Sequence, residues 1–433
     1  MDSNYKVNED LEVMRIIDES ELSPYSVATY HTVIKEFCRC NNKTYYDIVR
    51  EVKELQRDKI VNGTEIIPYN PNDSVIMDYI QNYQHYLTQR GNKKSSITTK
   101  IKTLLIVLRK SNIKTPKLTF KKEPQQKRVQ LITTDDIRFI LNHCTLHHKA
   151  LITFMASTGV RRYDVVNTFK IEDFIEACSD YTDAVFLDDF LEDAPQDMVP
   201  YFEFIPNKTA NSGLPCKVCC SSEASNLILE SLKARVKSVE KRNEIHGTDL
   251  VLDEESPLFS SKQKYYVGKY CETTITVVFA KKNQLLIKEK EKELDNQLRN
   301  HEISKKEWRM KKENFPRFHP HSLRHRFIST VRAHTTNRDI SLLMEGHASS
   351  IATDKFYVGE SEELFNKETI RETYLQVMPY LTFFQNVDPV TYQQYKQETD
   401  RLQKELDILK EKMGKYEATD KYLDRNSVLN DLE

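Results

Sequence analysis

The spacing of apolar side chains most constrains what this chain can fold into. From Ser23, the segment SPYSVATYHTVIKEFCRC opens on a capping residue and a proline. It then places Val27, Tyr30, Val33, Ile34 and Phe37 at a helical period. TYYDIVREVKEL, SVIMDYIQNYQHYL and SSITTKIKTLLIVLRKS follow in the same style, the last two on either side of the break RGNKKS. This predicts an all-helical domain from Leu22 to Ile113. Only nine glycines occur in 433 residues, which disfavours barrels with many tight turns and glycine-rich phosphate loops.

Beyond Ile113 the texture changes. KTPKLTFKKEPQQKRVQLIT has prolines, many cations and no sustained period, so residues 114–132 are expected to form a basic linker. A second domain opens at TTDDIRFIL, where Thr133 and Asp136 are placed for a capping box. HHKALITFMASTGVRRYDVVNTF predicts two helices broken at Gly159. In YFEFIPNKTANSGLPCKVCC, two runs of strand formers flank a polar turn, which predicts a β-hairpin. Helices return after it, including the stretch NQLLIKEKEKELDNQLRNHEISKKEW, whose alternating charges predict a solvated helix. Near the end, Tyr395, Thr399, Leu402, Leu406, Leu409, Met413 and Tyr416 form an a/d stripe suited to a short coiled coil, or to an amphipathic helix folding back on its own domain. The expected fold class is mainly α with a small antiparallel β-sheet (α+β). Its layout is an acidic segment over 1–21, a helical domain over 22–113, the linker, a domain over 133–384, and a C-terminal helix over 385–433.

Sixty-four Lys and Arg against 65 Asp and Glu leave a net charge of −1, so any basic binding face must be local. Nothing resembles a signal peptide and no apolar run approaches a membrane span, which gives the expectation of a cytoplasmic protein with no membrane partner. The eight cysteines show no disulfide spacing. Cys216, Cys219 and Cys220 lack the second half of a zinc site and are expected to be buried thiols on a strand.

The most concentrated chemistry is HPHSLRHRF, His319 to Phe327, with three histidines and two arginines in nine residues. Cations this close call for an anion. Three other stretches bear on what it is. STGVRRYD holds Arg161, with Asp164 three residues on; IPNKTANSG puts Lys208 in the hairpin turn; EGHASSIATDKFYV offers His347 and then Tyr357. Each alone is unspecific, since surface arginines and lysines usually make ion pairs or face solvent. In this order and wording, Arg161, Lys208, His321, Arg324, His347 and Tyr357 resemble the tyrosine recombinase (phage integrase) family. The resemblance runs from about Leu22 to Phe384, and MPYLTF looks most like the archaeal-type integrases. Tyr357 stands one residue further from His347 than is commonest in the family. Phe356 has no hydroxyl, and Tyr374 reads as core of the helix IRETYLQVMPYL.

The resemblance implies a helical core-binding domain followed by a catalytic domain, with double-stranded DNA as partner. It implies a site-specific recombinase that cuts DNA through a 3′-phosphotyrosine and rejoins it without cofactor, metal or ATP, as a homo-oligomer forming a tetrameric synapse. Tyr357 is then the nucleophile. The chemistry suits these residue types. Two arginines present planar forks to the nonbridging oxygens of a phosphodiester, which lysine cannot do. A tyrosine of ordinary pKa about 10 needs a base, for which His321 is the candidate. Lys208 on the hairpin can protonate the leaving 5′-oxygen. Local basic surface for the duplex is expected at Lys93, Lys94, Lys100 and Lys102, and in the linker at Lys121, Lys122, Lys127 and Arg128.

Other readings stay open. A metal-dependent phosphodiesterase on His319, His321 and His325 lacks a carboxylate cluster, and the neighbouring arginines would repel a dication. A type IB topoisomerase-like enzyme would use the same residue types, and a DNA-binding accessory protein derived from a recombinase would keep the fold. His319 is expected to be structural, and His325 or Arg326 to pack or to pair with a nearby acid.

Overall fold

The structure is a computed structural model, described over residues 6–20, 22, 24–61, 65–120, 131–213, 215–346 and 366–384. The chain forms two compact units, Met1–Gln126 and Lys127–Glu433; their boundary falls inside the stretch expected as a linker.

The first unit holds helices α1 (Leu11–Asp18), α2 (Pro24–Asn41), α3 (Tyr45–Leu55), α4 (Val75–Gln89) and α5 (Lys94–Lys110). α2 packs on α4 and α5. Val33, Ile34 and Phe37 of α2 meet Ile76, Ile80, Tyr83 and Leu87 of α4 and Ile101, Leu104 and Leu108 of α5 in one buried core. These side chains recur every three or four positions, so each helix offers a single apolar stripe. Two features differ from expectation. A short antiparallel ribbon, β1 (Lys59–Val61) with β2 (Glu65–Ile67), interrupts the helices, with Lys59 opposite Ile67. The acidic beginning is also part of this core. Asp10 caps α1, accepting the Glu12 N–H at 3.1 Å, and Val7, Val13 and Ile16 are buried. The acidic count had masked that apolar spacing.

The second unit contains α6 (Thr134–Asn142), α7 (Leu146–Thr158), α8 (Arg162–Asn167), α9 (Ile171–Ala177), α10 (Leu187–Asp193), β3 (Tyr201–Phe204), β4 (Cys216–Cys219), α11 (Ser222–His246), α12 (Glu272–Arg299), α13 (Lys305–Glu313), α14 (Pro320–His334), α15 (Arg338–Glu345) and α16 (Lys367–Val377). α7 is its axis. Every residue from Ala150 to Thr158 is buried, because α11 and α14 both lie against it. A helix apolar on all sides has nowhere else to go. The expected capping box forms at α6, with Thr133 and Asp136 bonding each other's backbone N–H. β3 and β4 pair antiparallel, Tyr201 opposite Cys219 and Phe204 opposite Cys216. Cys216, Cys219 and Cys220 are buried thiols, and burial pushes Cys216 up to about 12, so it stays protonated.

The charged stretch expected as one solvated helix forms α12 and α13 instead. After Arg299 the chain turns through His301 at a φ of 58°, and Ser304 starts α13 in a capping box with Glu307. The architecture is mainly helical with a small antiparallel hairpin sheet, as expected, and the β1–β2 ribbon is an addition to it. The proposed coiled-coil stripe, the linker cations Lys121, Lys122, Lys127 and Arg128, and both His347 and Tyr357 lie outside the described residues.

Candidate active site

Three separated stretches of the second unit converge on a pocket of about 380 Å³, lined by Arg161, Arg162, Tyr163, Lys208, His319, Pro320, His321 and Arg324. Two left-handed glycines set its geometry. Gly159 ends α7 at a φ of +64°, and a Cβ built there would sit 2.2 Å from the Phe327 ring. Backbone conformation and ring contact both demand glycine. Its carbonyl accepts a hydrogen bond from Arg324 Nη1 at 2.8 Å. Gly346 ends α15 at a φ of +58°, and its carbonyl accepts from Arg161 Nη2 at 3.4 Å. Arg324 Nη2 donates to the Glu345 carbonyl.

Arg324 projects from α14 and is 6% exposed. Burial, and then the charge of Arg161, push its guanidinium down to about 10, so it remains cationic at neutral pH. Arg161 is the N-cap of α8. Asp164, on the first turn of that helix, is 1% exposed. Its Oδ1 accepts the Asn207 backbone N–H at 3.0 Å. This bond ties the α8 arginine to the 3-10 turn Asn207–Ser212 that carries Lys208 between β3 and β4. Burial raises the Asp164 carboxyl above its ordinary range, against the opposing Asn207 hydrogen bond and the nearby arginines. Lys208 is exposed.

α14 supplies the histidines. His319 is its N-cap, Nδ1 accepting the Ser322 N–H at 3.0 Å, which is the structural role expected. His321 is exposed, its ring centroid 4.3 Å from that of His325 and 6.3 Å from that of His319. Partial burial first, then the neighbouring histidines and the cations Arg324 and Lys208, hold His321 below the usual histidine range. Its neutral, proton-accepting form therefore dominates at pH 7. Arg326 packs, as one branch of the expectation had it, and among the described residues it pairs with no acid. It donates to Thr134 Oγ1 and to the Tyr380 carbonyl, each at 2.9 Å, and lies over the Phe383 ring.

Glu345 and Glu272 near the pocket are engaged by other arginines, Arg332 and Arg162. Glu345 is completely buried, and Arg332 forks its carboxylate at 2.6 and 2.5 Å. Arg162 turns to Glu272 at 3.0 Å and Thr276 at 2.6 Å. Among the described residues no carboxylate pairs with Arg161, Lys208 or Arg324. The result is a concave cationic site at the start of α14, where the N-terminal end of the helix adds to the positive potential. It suits a phosphate. Among the described residues no group of His, Cys, Asp and Glu side chains is placed to hold a metal ion.

The sequence reading missed Glu345 and Arg332, and the two glycine carbonyls that orient the arginines. Of the lysines expected to meet DNA in the first unit, Lys93 and Lys94 are exposed at the start of α5. Lys102 is exposed and lies over the Phe120 ring. Lys100 is already held by Glu36 at 2.6 Å. Tyr374 is core, as expected: its hydroxyl donates to the Ser157 carbonyl at 2.8 Å, and burial drives the phenol well above its ordinary pKa.

No protein-family model matches the chain, and a search of curated proteins finds no significant match. Among solved structures, it is similar to a XerA recombinase, at 17% identity and a TM-score of 0.31, covering 85% of this chain and 98% of that one. It is also similar to a Tn1549 transposon integrase in complex with transposon right-end DNA. The identity there is 12% and the TM-score 0.38, over 78% of this chain and 97% of that one. With both TM-scores below 0.5, neither likeness decides the chemistry of this chain.

Proposed function

We propose that the chain is a tyrosine-type site-specific DNA recombinase, an integrase that cuts and rejoins duplex DNA through a 3′-phosphotyrosine. The observation that carries this reading is the convergence of Arg161, Lys208, His321 and Arg324 on one cationic pocket. They are the first four members of the ordered motif set read from the sequence. His347 and Tyr357 complete that set, Tyr357 as nucleophile.

In this reading the scissile phosphate binds between Arg161 and Arg324, whose forks contact its nonbridging oxygens as charge develops in the transition state. His321, neutral at pH 7, takes the proton of the Tyr357 hydroxyl as its oxygen attacks phosphorus. The P–O5′ bond breaks as the new P–O bond to tyrosine forms, and Lys208 protonates the departing 5′-oxygen. A free 5′-hydroxyl attacking the phosphotyrosine reverses these steps. The bond energy is conserved, so no external energy source enters. The active form is a homo-oligomer on DNA.

The test is covalent capture on a nicked duplex that loses its 5′-hydroxyl fragment. The wild-type chain traps an adduct. Tyr357→Phe binds the same duplex with unchanged affinity and traps none. A full-strength adduct from Tyr357→Phe would remove the nucleophile assignment.

A further inference from the structure

The hairpin of α12 and α13 has no role in the pocket chemistry, yet both of its ends are fixed beside the pocket. At its start, Glu272 and Thr276 hold Arg162. At its return, Phe318 stacks on Phe279 with ring centroids 4.9 Å apart, and its N–H donates to Asn283 Oδ1 at 2.7 Å. The next residue is His319, the cap of α14. Lys290 adds a third tie, to Asp136 of α6 at 2.6 Å. Beyond Lys290 two acids of α12 serve α13: Glu291 meets Lys312 at 3.1 Å, and Asp295 accepts from Trp308 Nε1 at 2.9 Å.

α13 itself buries no residue, so core formation does not explain why it is capped and pinned. Its surface is what remains. KKEWRMKKE holds five cations against two carboxylates in a chain whose net charge is −1. One of those carboxylates, Glu307, is taken up by the capping box. Lys305, Lys306, Arg309 and Lys311 are all exposed, and among the described residues none forms an ion pair.

We propose that the α12–α13 hairpin is a DNA arm, with the cations of α13 gripping the phosphate backbone of the duplex that flanks the cut. The proposal rests on reading the pocket as a DNA-cleaving site. The 28 residues of α12, at 1.5 Å each, extend about 42 Å. That matches about 12 base pairs at 3.4 Å each. Charge complementarity selects the partner: a polyanion of regular charge spacing suits a helix whose cations outnumber its carboxylates, and the exposed large apolar side chain of α13 is the single Met310.

The experiment uses the full chain, a mixed-sequence duplex of about 45 base pairs, long enough to span pocket and arm, and the combined variant Lys305→Gln, Lys306→Gln, Arg309→Gln, Lys311→Gln. All four side chains are exposed, so the thermal midpoint serves as the folding control. Each phosphate that the protein no longer neutralises flattens the slope of log K against log salt by about 0.9. A fall of about 2 to 3 in slope is expected, with about 10²–10³-fold weaker binding at 0.1 M salt. Trp308 is the one tryptophan of the chain, so its emission reports on this hairpin alone and should change on adding duplex to the wild type. Equal slopes and affinities for variant and wild type overturn the arm and leave α13 for another partner. The covalent adduct at saturating duplex separates this from the pocket reading. Arm-dependent binding without any adduct leaves the arm and removes the recombinase assignment, whereas an adduct with arm-independent binding does the reverse.

Discussion

Arg324 and Arg332 stand on the same helix, and both reach Glu345. Arg324 is 6% exposed and donates to the Glu345 carbonyl. Arg332, with a side chain 56% exposed, takes the carboxylate. Carbonyl dipoles orient the first guanidinium without neutralising it, and the second is discharged by a full ion pair. The Glu345 carboxylate is thereby engaged by Arg332 and forms no ion pair with Arg324. One arginine stays available to an incoming anion; the other holds α15 to α14.

Predictions that break this contrast start with the largest effect. Arg324→Lys and Arg161→Lys keep a positive charge but lose the fork, and each should lower single-turnover cleavage by about 10²–10³-fold. Near wild-type cleavage by either variant would end the clamp role for that arginine. Next, Lys208→Ala should cost about 10²-fold on ordinary DNA and recover most of it on a 5′-bridging phosphorothioate, whose sulfur leaves without a proton. Equal impairment on both substrates would make Lys208 a binding residue only. The smallest catalytic effect belongs to Arg332→Ala, within a few-fold of wild type at saturating DNA. Its loss is in stability, about 3 kcal/mol by urea unfolding, because it takes the forked ion-pair partner from the buried Glu345 carboxylate; the half-exposed arginine keeps the figure at the low end for broken buried pairs. Adding Glu345→Gln should restore most of that stability. If Arg332→Ala lost cleavage as fully as Arg324→Lys, the two arginines would not differ in kind.

The sequence exposed what carries a local signature. Apolar steps of three and four gave the helices of both units, Thr133 with Asp136 gave the start of α6, and strand formers around NKTANSG gave the hairpin that carries Lys208. The motif residues were legible because the proposed chemistry is read from their side chains. The supports were not. Any residue has a carbonyl, so nothing marks those of Gly159, Glu345 and Gly346 as partners of Arg324 and Arg161. Pairing Glu345 with Arg332 depends on how α15 turns back on α14, and only the fold settles that. The split of the long charged stretch at His301 was hidden because its charges alternate through the turn without interruption. The ribbon Lys59–Val61 with Glu65–Ile67 rests on three-residue strands, too short to show a period of two against a helical background.

The central claim is that the unneutralised cations around Arg324 hold a scissile phosphate for Tyr357. Digesting the covalent complex formed on a suicide duplex and sequencing the nucleotide-bearing peptide tests it most directly. The account predicts one modified peptide, carrying the phosphoryl group on Tyr357 with its 3′-linked DNA strand. A modification at Tyr374 or another residue, or a nicked product with no protein attached, would contradict it.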